Sequence, residues 1–425
     1  MLNSTAISKI QAIALIAIIV IAALAGVVYV FWSGDAQLAD IIKIGVAANL
    51  DTTTGDDVWQ GAVLAAEQIN AEGGILERNV EVVGVDTNED EGDLGKVSAA
   101  LAKLITYHKV DYITGYMRPG GTRIMEDLAA EHKIIFLSTG SIDDFHTEQV
   151  AEDYEKYKYF FRTTANETTG FQSLFDSVLT LREYTGFNKL GYLISATLVD
   201  QMRANFDHLV NVEGFDLVYE GAYVGDEVDY SSFFAAAEAA GVEMLVSFFA
   251  GNDFAVIKEW YNRQSPLVIW GVSLLSQSSK FWAMTEGKCE HQSVFVFPTS
   301  VGYPVTSKTM PFREAYIDRW GEPPTIGATA TYDTLRYILP DAIERAGTIE
   351  TEAVIKALEE TEIETTENPR CAFTSNHDML FKPEDMKGMM FQWQADGTRV
   401  PVYPKEIMDE AGATYTYPDW RGPWG

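Results

Sequence analysis

Short apolar runs alternate with amphipathic helical stretches along most of this chain, and the alternation runs twice. Apolar runs at 41–47, 80–85, 112–114 and 134–137 read as strands, separated by helical stretches near 56–71, 94–107 and 121–131. Asp56 or Asp57 caps the first helix in this reading, and Gly73-Gly74 stops it. Strands that are apolar on both faces belong in a parallel sheet covered by helices on each side. A charged, tyrosine-rich break spans 143–165. The order then restarts, with helices near 169–183, 200–210, 231–240 and 253–262 and strands at 190–194, 215–219, 244–248 and 267–270. Two α/β units of similar size and order predict two lobes with a cleft between them. Beyond 293 the pattern changes to a strand at 294–297, helices near 310–319, 328–345 and 350–359, and short antiparallel strands over 371–403. Asp396-Gly397 suits the turn of a hairpin over 392–400.

The net charge of −31 repels phosphate backbones and anionic lipid heads, so no nucleic-acid partner is expected. Short acidic clusters at 86–93 and 359–367 read as solvated loops. The six histidines form no HExxH or other i, i+4 metal pair, and no GxSxG or GxGxxG is present. Gly92-Asp93-Leu94-Gly95-Lys96 lacks the Walker spacing. Asp143-Asp144 reads as a solvated turn or helix cap, and His377-Asp378 as an equally ordinary polar pair. The two cysteines, Cys289 and Cys371, lie in no CxxC or Cys/His cluster. No metal, cofactor or catalytic residue is expected, and the chain does not read as an enzyme.

Residues 10–32 form a nearly unbroken apolar run, preceded by Lys9 and followed by Asp35 and Asp40. About 20 apolar residues span a bilayer, and cleaved signals have shorter apolar cores. The run is therefore expected to remain as a transmembrane anchor. Cleavage after Ala23-Leu24-Ala25 is the alternative. No cysteine near the end of the run offers a lipid anchor. Lys9 on the cytoplasmic side places the remainder outside.

Ligands of open α/β sheets bind beyond the carboxyl ends of the strands. In the first unit these ends carry Asp51-Thr52-Thr53-Thr54-Gly55, Arg118-Pro119-Gly120-Gly121-Thr122 and Ser138-Thr139-Gly140-Ser141. Hydroxyls, glycine N–H groups and helix N-termini suit an anion or carboxylate. The second unit offers Ser195-Ala196-Thr197-Leu198, Phe249-Ala250-Gly251-Asn252-Asp253 and Gly271-Val272-Ser273-Leu274. The candidate ligand residues are Thr54, Arg118, Gly120, Gly121, Ser138, Thr139, Gly140, Ser141, Thr197, Leu198, Gly251, Asn252, Asp253 and Ser273. Arg118 provides a guanidinium fork beside the glycines.

At these loops the sequence resembles the type I periplasmic binding proteins, specifically the branched-chain amino-acid substrate-binding proteins of ABC transporters. Ile42-Lys43-Ile44-Gly45, Gln68-Ile69-Asn70-Ala71-Glu72-Gly73-Gly74-Ile75 and Tyr112-Ile113-Thr114-Gly115 carry the likeness in the first unit. Tyr159-Phe160-Phe161-Arg162-Thr163, Asp229-Tyr230-Ser231 and Phe391-Gln392-Trp393-Gln394-Ala395-Asp396-Gly397 extend it across 41–405.

The resemblance implies an α/β fold of two doubly wound parallel-sheet lobes. Lobe 1 would comprise 41–156 and 303–363, lobe 2 166–297 and 372–405. Crossovers at 157–165, 298–302 and 364–371 would hinge them. Residues 1–40 would be anchor and linker, and 406–425 a tail of unassigned role. It implies capture of a small anionic or zwitterionic molecule and hand-over to an ABC permease; a sensor ectodomain on the same fold is the alternative. Family ligand positions fall on Thr54, on Pro119 or Gly120, on Ile142 beside Ser141, near Ala250-Gly251 and near Ser273. Cys289 and Cys371, an even pair near two crossovers in an external compartment, are expected to form a disulfide.

Overall fold

The computed structural model describes residues 41–89, 93–224, 229–249, 253–296, 298–380, 388–418 and 420. The apolar run at 10–32, with both its anchor and its cleavage readings, lies outside the described residues. Among those described, no helix is long and apolar enough to cross a membrane.

β1 (Ile42–Ala48), β2 (Val80–Asp86), β3 (Tyr112–Tyr116), β4 (Ile135–Ser138) and β5 (Phe160–Arg162) form a parallel sheet in the order β2-β1-β3-β4-β5. β6 (Lys189–Ser195), β7 (Asp216–Tyr223), β8 (Met244–Phe249), β9 (Val268–Ser273) and β10 (Ser293–Val296) repeat that order as β7-β6-β8-β9-β10, again parallel. β11 (Glu362–Ile363) and β12 (Cys371–Ala372) form a separate antiparallel pair. The hairpin of β13 (Met389–Trp393) and β14 (Arg399–Tyr403) joins the β10 edge antiparallel. Burial follows position. β4 and β10 are buried throughout, whereas the edge strands β2 and β7 carry exposed residues.

The helices that matter for the site are α1 (Thr53–Ala71), α2 (Leu94–Lys103), α3 (Pro119–His132), α4 (Phe145–Glu152), α5 (Glu167–Thr185), α6 (Asp253–Arg263), α7 (Thr309–Trp320) and α8 (Ile326–Asp333). α1 begins ahead of the expected caps, because Thr52 Oγ1 accepts the Gly55 N–H at 3.1 Å. Asp57 lies inside the helix instead. It is buried, and that burial pushes its carboxyl up to about 7. A Cβ on Gly61 would sit 2.3 Å from the Ala328 carbonyl oxygen, so α1 and α8 meet backbone to backbone.

The break at 143–165 also contains α4 and β5, the fifth strand of the first sheet. After β10 the chain returns to the first sheet. Tyr316 donates to Gln60 Oε1 at 2.9 Å, and Arg319 reaches Glu67 at 3.2 Å.

The expected disulfide is not formed. Cys289 and Cys371 are free, buried thiols in separate cores. Cys289 packs in the second-sheet core with Phe281 and Trp393. Cys371 sits in β12 within the larger core. Burial pushes the Cys289 thiol up to about 11 and raises Cys371 as well, so both act as small apolar residues.

The unassigned tail clasps the second unit. Tyr415 is buried against Trp270 and Tyr184, Thr416 bonds His291 and Gln392, and Trp420 donates to the Ser265 carbonyl at 3.1 Å beside Trp260. Trp420→Ala is expected to cost about 2 kcal/mol of stability, read from urea unfolding. An unchanged midpoint would show that the tail only rests on the surface.

Candidate functional site

The carboxyl ends of the first sheet's strands and the helix N-termini that follow face one edge. Thr54 lies there, half-buried in the first turn of α1. Arg118 is the exposed residue preceding α3. Its backbone N–H points at both carboxylate oxygens of Glu89, each at 3.2 Å. Gly121 is buried so closely that a Cβ would meet Glu89 Oε1 at 2.1 Å, and Gly120 lies half-buried beside Leu94. The α3 N-terminus, expected to receive a ligand anion, therefore holds an internal carboxylate. Sequence reasoning placed Glu89 in a solvated acidic loop; only the fold brings that loop onto α3.

Ser138 and Thr139 end β4 fully buried. The Thr163 N–H donates to the Ser138 carbonyl at 2.9 Å, and the Thr139 and Thr331 hydroxyls share a 3.3 Å hydrogen bond. Ser138 Oγ is buried without a hydrogen-bond partner among the described residues. Leaving such a group unpaired costs about 1–3 kcal/mol. Gly140 is half-buried and leads to Ser141, whose Oγ lies 2.9 Å from His146 Nε2. His146 Nδ1 is 2.7 Å from Glu126 Oε2. All three side chains are buried, and burial raises the Glu126 carboxyl above its ordinary range. Neither Glu126 nor His146 carried a signal in the sequence, because each occupies an ordinary helical position.

In the second unit Thr197 is exposed in a short turn after β6, its hydroxyl 2.9 Å from Ser195, and Leu198 is half-buried. Gly251 and Asn252 lie outside the described residues. Asp253 opens α6 fully buried, and Ser273 at the end of β9 donates to its Oδ1 at 2.5 Å. The Leu275 N–H joins the same oxygen at 3.2 Å. The fold thus brings Asp253 and Ser273 together and spends their polarity on shaping the turn after β9. Ser247 of β8 keeps a buried hydroxyl without a partner among the described residues.

The loop behind Ser141 is fastened from both sides. The Glu167 N–H of α5 donates to the Ile142 carbonyl at 2.6 Å. Arg162, fully buried, donates through Nη1 to the Asp143 carbonyl at 2.7 Å and grips Asp378 through Nε and Nη2, each at 2.8 Å. His377 stacks on Phe161 with centroids 3.9 Å apart and bonds the Phe160 carbonyl. Asp143 caps the Phe145 N–H and Asp144 accepts from Thr168, so 143–144 serves as the expected helix cap, whereas the pair 377–378 is interior. Buried hydroxyls and screened carboxylates arranged this way suit recognition of a small polar molecule.

The sequence model of a family described as periplasmic binding protein matches residues 42–398. The Leu/Ile/Val-binding protein homolog 7 of Brucella melitensis is 22% identical over 354 residues, covering 82% of this chain and 87% of that protein. The chain superposes with a TM-score of 0.69 on the branched-chain amino acid transporter substrate-binding protein of Streptococcus pneumoniae, solved with isoleucine. The two are 18% identical, over 85% of this chain and 100% of that one. A solute-binding protein of an ABC transporter from R. palustris, solved with benzoate, gives 0.68 at 17% identity, over 85% and 95%.

Proposed function

The chain belongs to the periplasmic binding protein family, and from that premise we propose that it captures a small carboxylate-bearing solute between two lobes and delivers it to an ABC permease. It is a solute-binding protein that works outside the cytoplasm, not an enzyme. The lobes in this reading are 41–156 with 303–363 and 166–297 with 372–405, hinged at 157–165, 298–302 and 364–371. The run at 10–32 would tether the protein beside its permease.

The observation that carries the reading is the cradle at 138–141. There the last residue of β4 is a buried serine whose hydroxyl has no partner among the described residues, and the loop it opens is tied to α5 by the Glu167 N–H on the Ile142 carbonyl. A ligand oxygen accepting from Ser138 would remove the penalty of that unpaired group. Thr139, Gly140 and Ser141 line the same turn, while Thr54, Gly120, Gly121 and Arg118 form the rim. Thr197, Leu198, Gly251, Asn252, Asp253 and Ser273 belong to the covering lobe, which completes the contacts on closure. The relatives with isoleucine and benzoate support a carboxylate with an apolar body and leave the amino group optional.

Calorimetry of the full chain with L-isoleucine, L-leucine and benzoate tests the proposal. Ser138→Ala should weaken the bound probe roughly tenfold. Arg118 is exposed, so Arg118→Ala should cost less than about tenfold, and the loss should shrink as salt rises. Wild-type affinity retained in Ser138→Ala would remove the cradle from the site.

A further inference from the structure

Glu126, His146 and Ser141 stand in a row across three elements: α3, the first turn of α4, and the loop after β4. We propose that Glu126 and His146 are positioning residues that set the polarity of the Ser141 hydroxyl, and so decide whether the cleft offers a ligand an acceptor or a donor there. The inference rests on the reading of 138–141 as the ligand cradle.

The geometry constrains the hydrogens. An ionised Glu126 can only accept, so the 2.7 Å contact requires the hydrogen on His146 Nδ1. In a neutral ring Nε2 then carries a lone pair, and Ser141 must donate to it across 2.9 Å. The remaining lone pairs of Ser141 accept from an ammonium, amide or hydroxyl. Adding one proton to the ring reverses the arrangement. Nε2–H then donates to Ser141, and the serine hydrogen is released toward a carboxylate. Burial of the whole row prevents water from scrambling the two states.

The charges around the row are few. Arg123 on α3 favours ionised Glu126, and Asp127 opposes it. Arg123 lies over the Phe145 ring and 3.7 Å from Asp143. From β5, Arg162 engages Asp378 and lies 3.8 Å from Asp144, so that group is internally balanced. The Phe160 ring, 5.7 Å from His146, closes the apolar side.

The test uses the full chain labelled with ¹⁵N-histidine. At pH 8 the His146 ring should be the Nδ1–H tautomer, Ser141→Ala should move the Nε2 resonance, and Glu126→Gln should change the tautomer. An Nε2–H ring at pH 8 in the wild type would overturn the proposal without any ligand. In the binding arm, Glu126→Gln and Ser141→Ala should each weaken L-isoleucine binding about fivefold or more at pH 8, with folding checked by thermal melt. Wild-type affinity in both folded variants would overturn the relay. If isoleucine binds no form, leucine and benzoate serve as the binding probes; if none of the three binds, the ligand class proposed above fails, and the ring tautomer still decides the relay.

Discussion

Arg162→Ala is expected to destabilise the protein by about 3–5 kcal/mol, because it strands a buried carboxylate. Arg162 is fully buried and makes every contact through fixed partners. Nε and Nη2 hold the two Asp378 oxygens at 2.8 Å, Nη2 donates to Thr147 Oγ1 at 3.0 Å, and Nη1 donates to the Asp143 carbonyl. The backbone joins in, since Arg162 N–H bonds the His377 carbonyl and Met379 N–H bonds the Arg162 carbonyl. Three segments therefore depend on one guanidinium: β5, the loop behind Ser141, and 374–380. With the arginine gone, Asp378 keeps only Asn166 and Thr147 as side-chain donors among the described residues. Asp378→Ala should also destabilise, but by less, because Asp144 at 3.8 Å still faces the cation. The double replacement Arg162→Met with Asp378→Leu should recover much of the loss, as apolar substitutes for buried ion pairs often do. Urea unfolding of the four proteins measures this. A midpoint for Arg162→Ala equal to wild type would mean the latch is mechanically idle.

Glu367→Gln should make the protein more stable than wild type at alkaline pH, by on the order of a few kcal/mol near pH 8. Glu367 and Asp333 are buried and line one small cavity of about 20 Å³ with Thr163, Thr164 and Asn368. Burial, with the Asp333 charge adding to it, pushes the Glu367 carboxyl up to about 8; Asp333 is pushed up to about 6 by burial. Thr299 donates its N–H to Glu367 Oε1 at 3.2 Å and its hydroxyl at 2.5 Å, which offsets only part of the burial cost. Lys308 is the cation acting on Asp333.

The sign follows from proton counts. In the unfolded chain these carboxyls release their protons near 4.5 and 3.8, whereas the folded chain keeps them to about 8 and about 6. Across that window the native state binds more protons, so stability falls as pH rises and levels off above pH 8. Glutamine cannot ionise, so its advantage should grow from pH 5 to pH 8 and then hold constant. Thermal melts of both proteins from pH 5 to pH 9 read the difference. Parallel curves would show that Glu367 titrates normally.

Much of the architecture was readable without coordinates. The apolar runs at 80–85 and 134–137 became β2 and β4 within one residue, because strand burial is written locally in the side chains. The turn at Asp396-Gly397, where Asp396 accepts the Thr398 N–H, was legible for the same reason. The loop at 138–141 was likewise legible as a strand end, since small hydroxylated residues after a buried strand are a local pattern. The disulfide failed because cysteine count and compartment carry no information about which core each thiol enters. β5 was hidden because its three residues are too few to show a period.

What local patterning settles here is which stretches become strands and helices, that the order repeats, and which loops lie at the carboxyl ends of the strands. The contacts that tune this edge join residues far apart along the chain. Arg162 and Asp378 are separated by 216 positions, and Thr139 and Thr331 by 192. Glu126 and His146 are closer, at 20 positions, yet still lie on different helices. Side-chain periodicity records only whether a position faces a core, not which partner that core supplies. A polar side chain inside a packed interior costs several kcal/mol unless its partner is in place. Partner choice is therefore made when the two sheets and their helices pack.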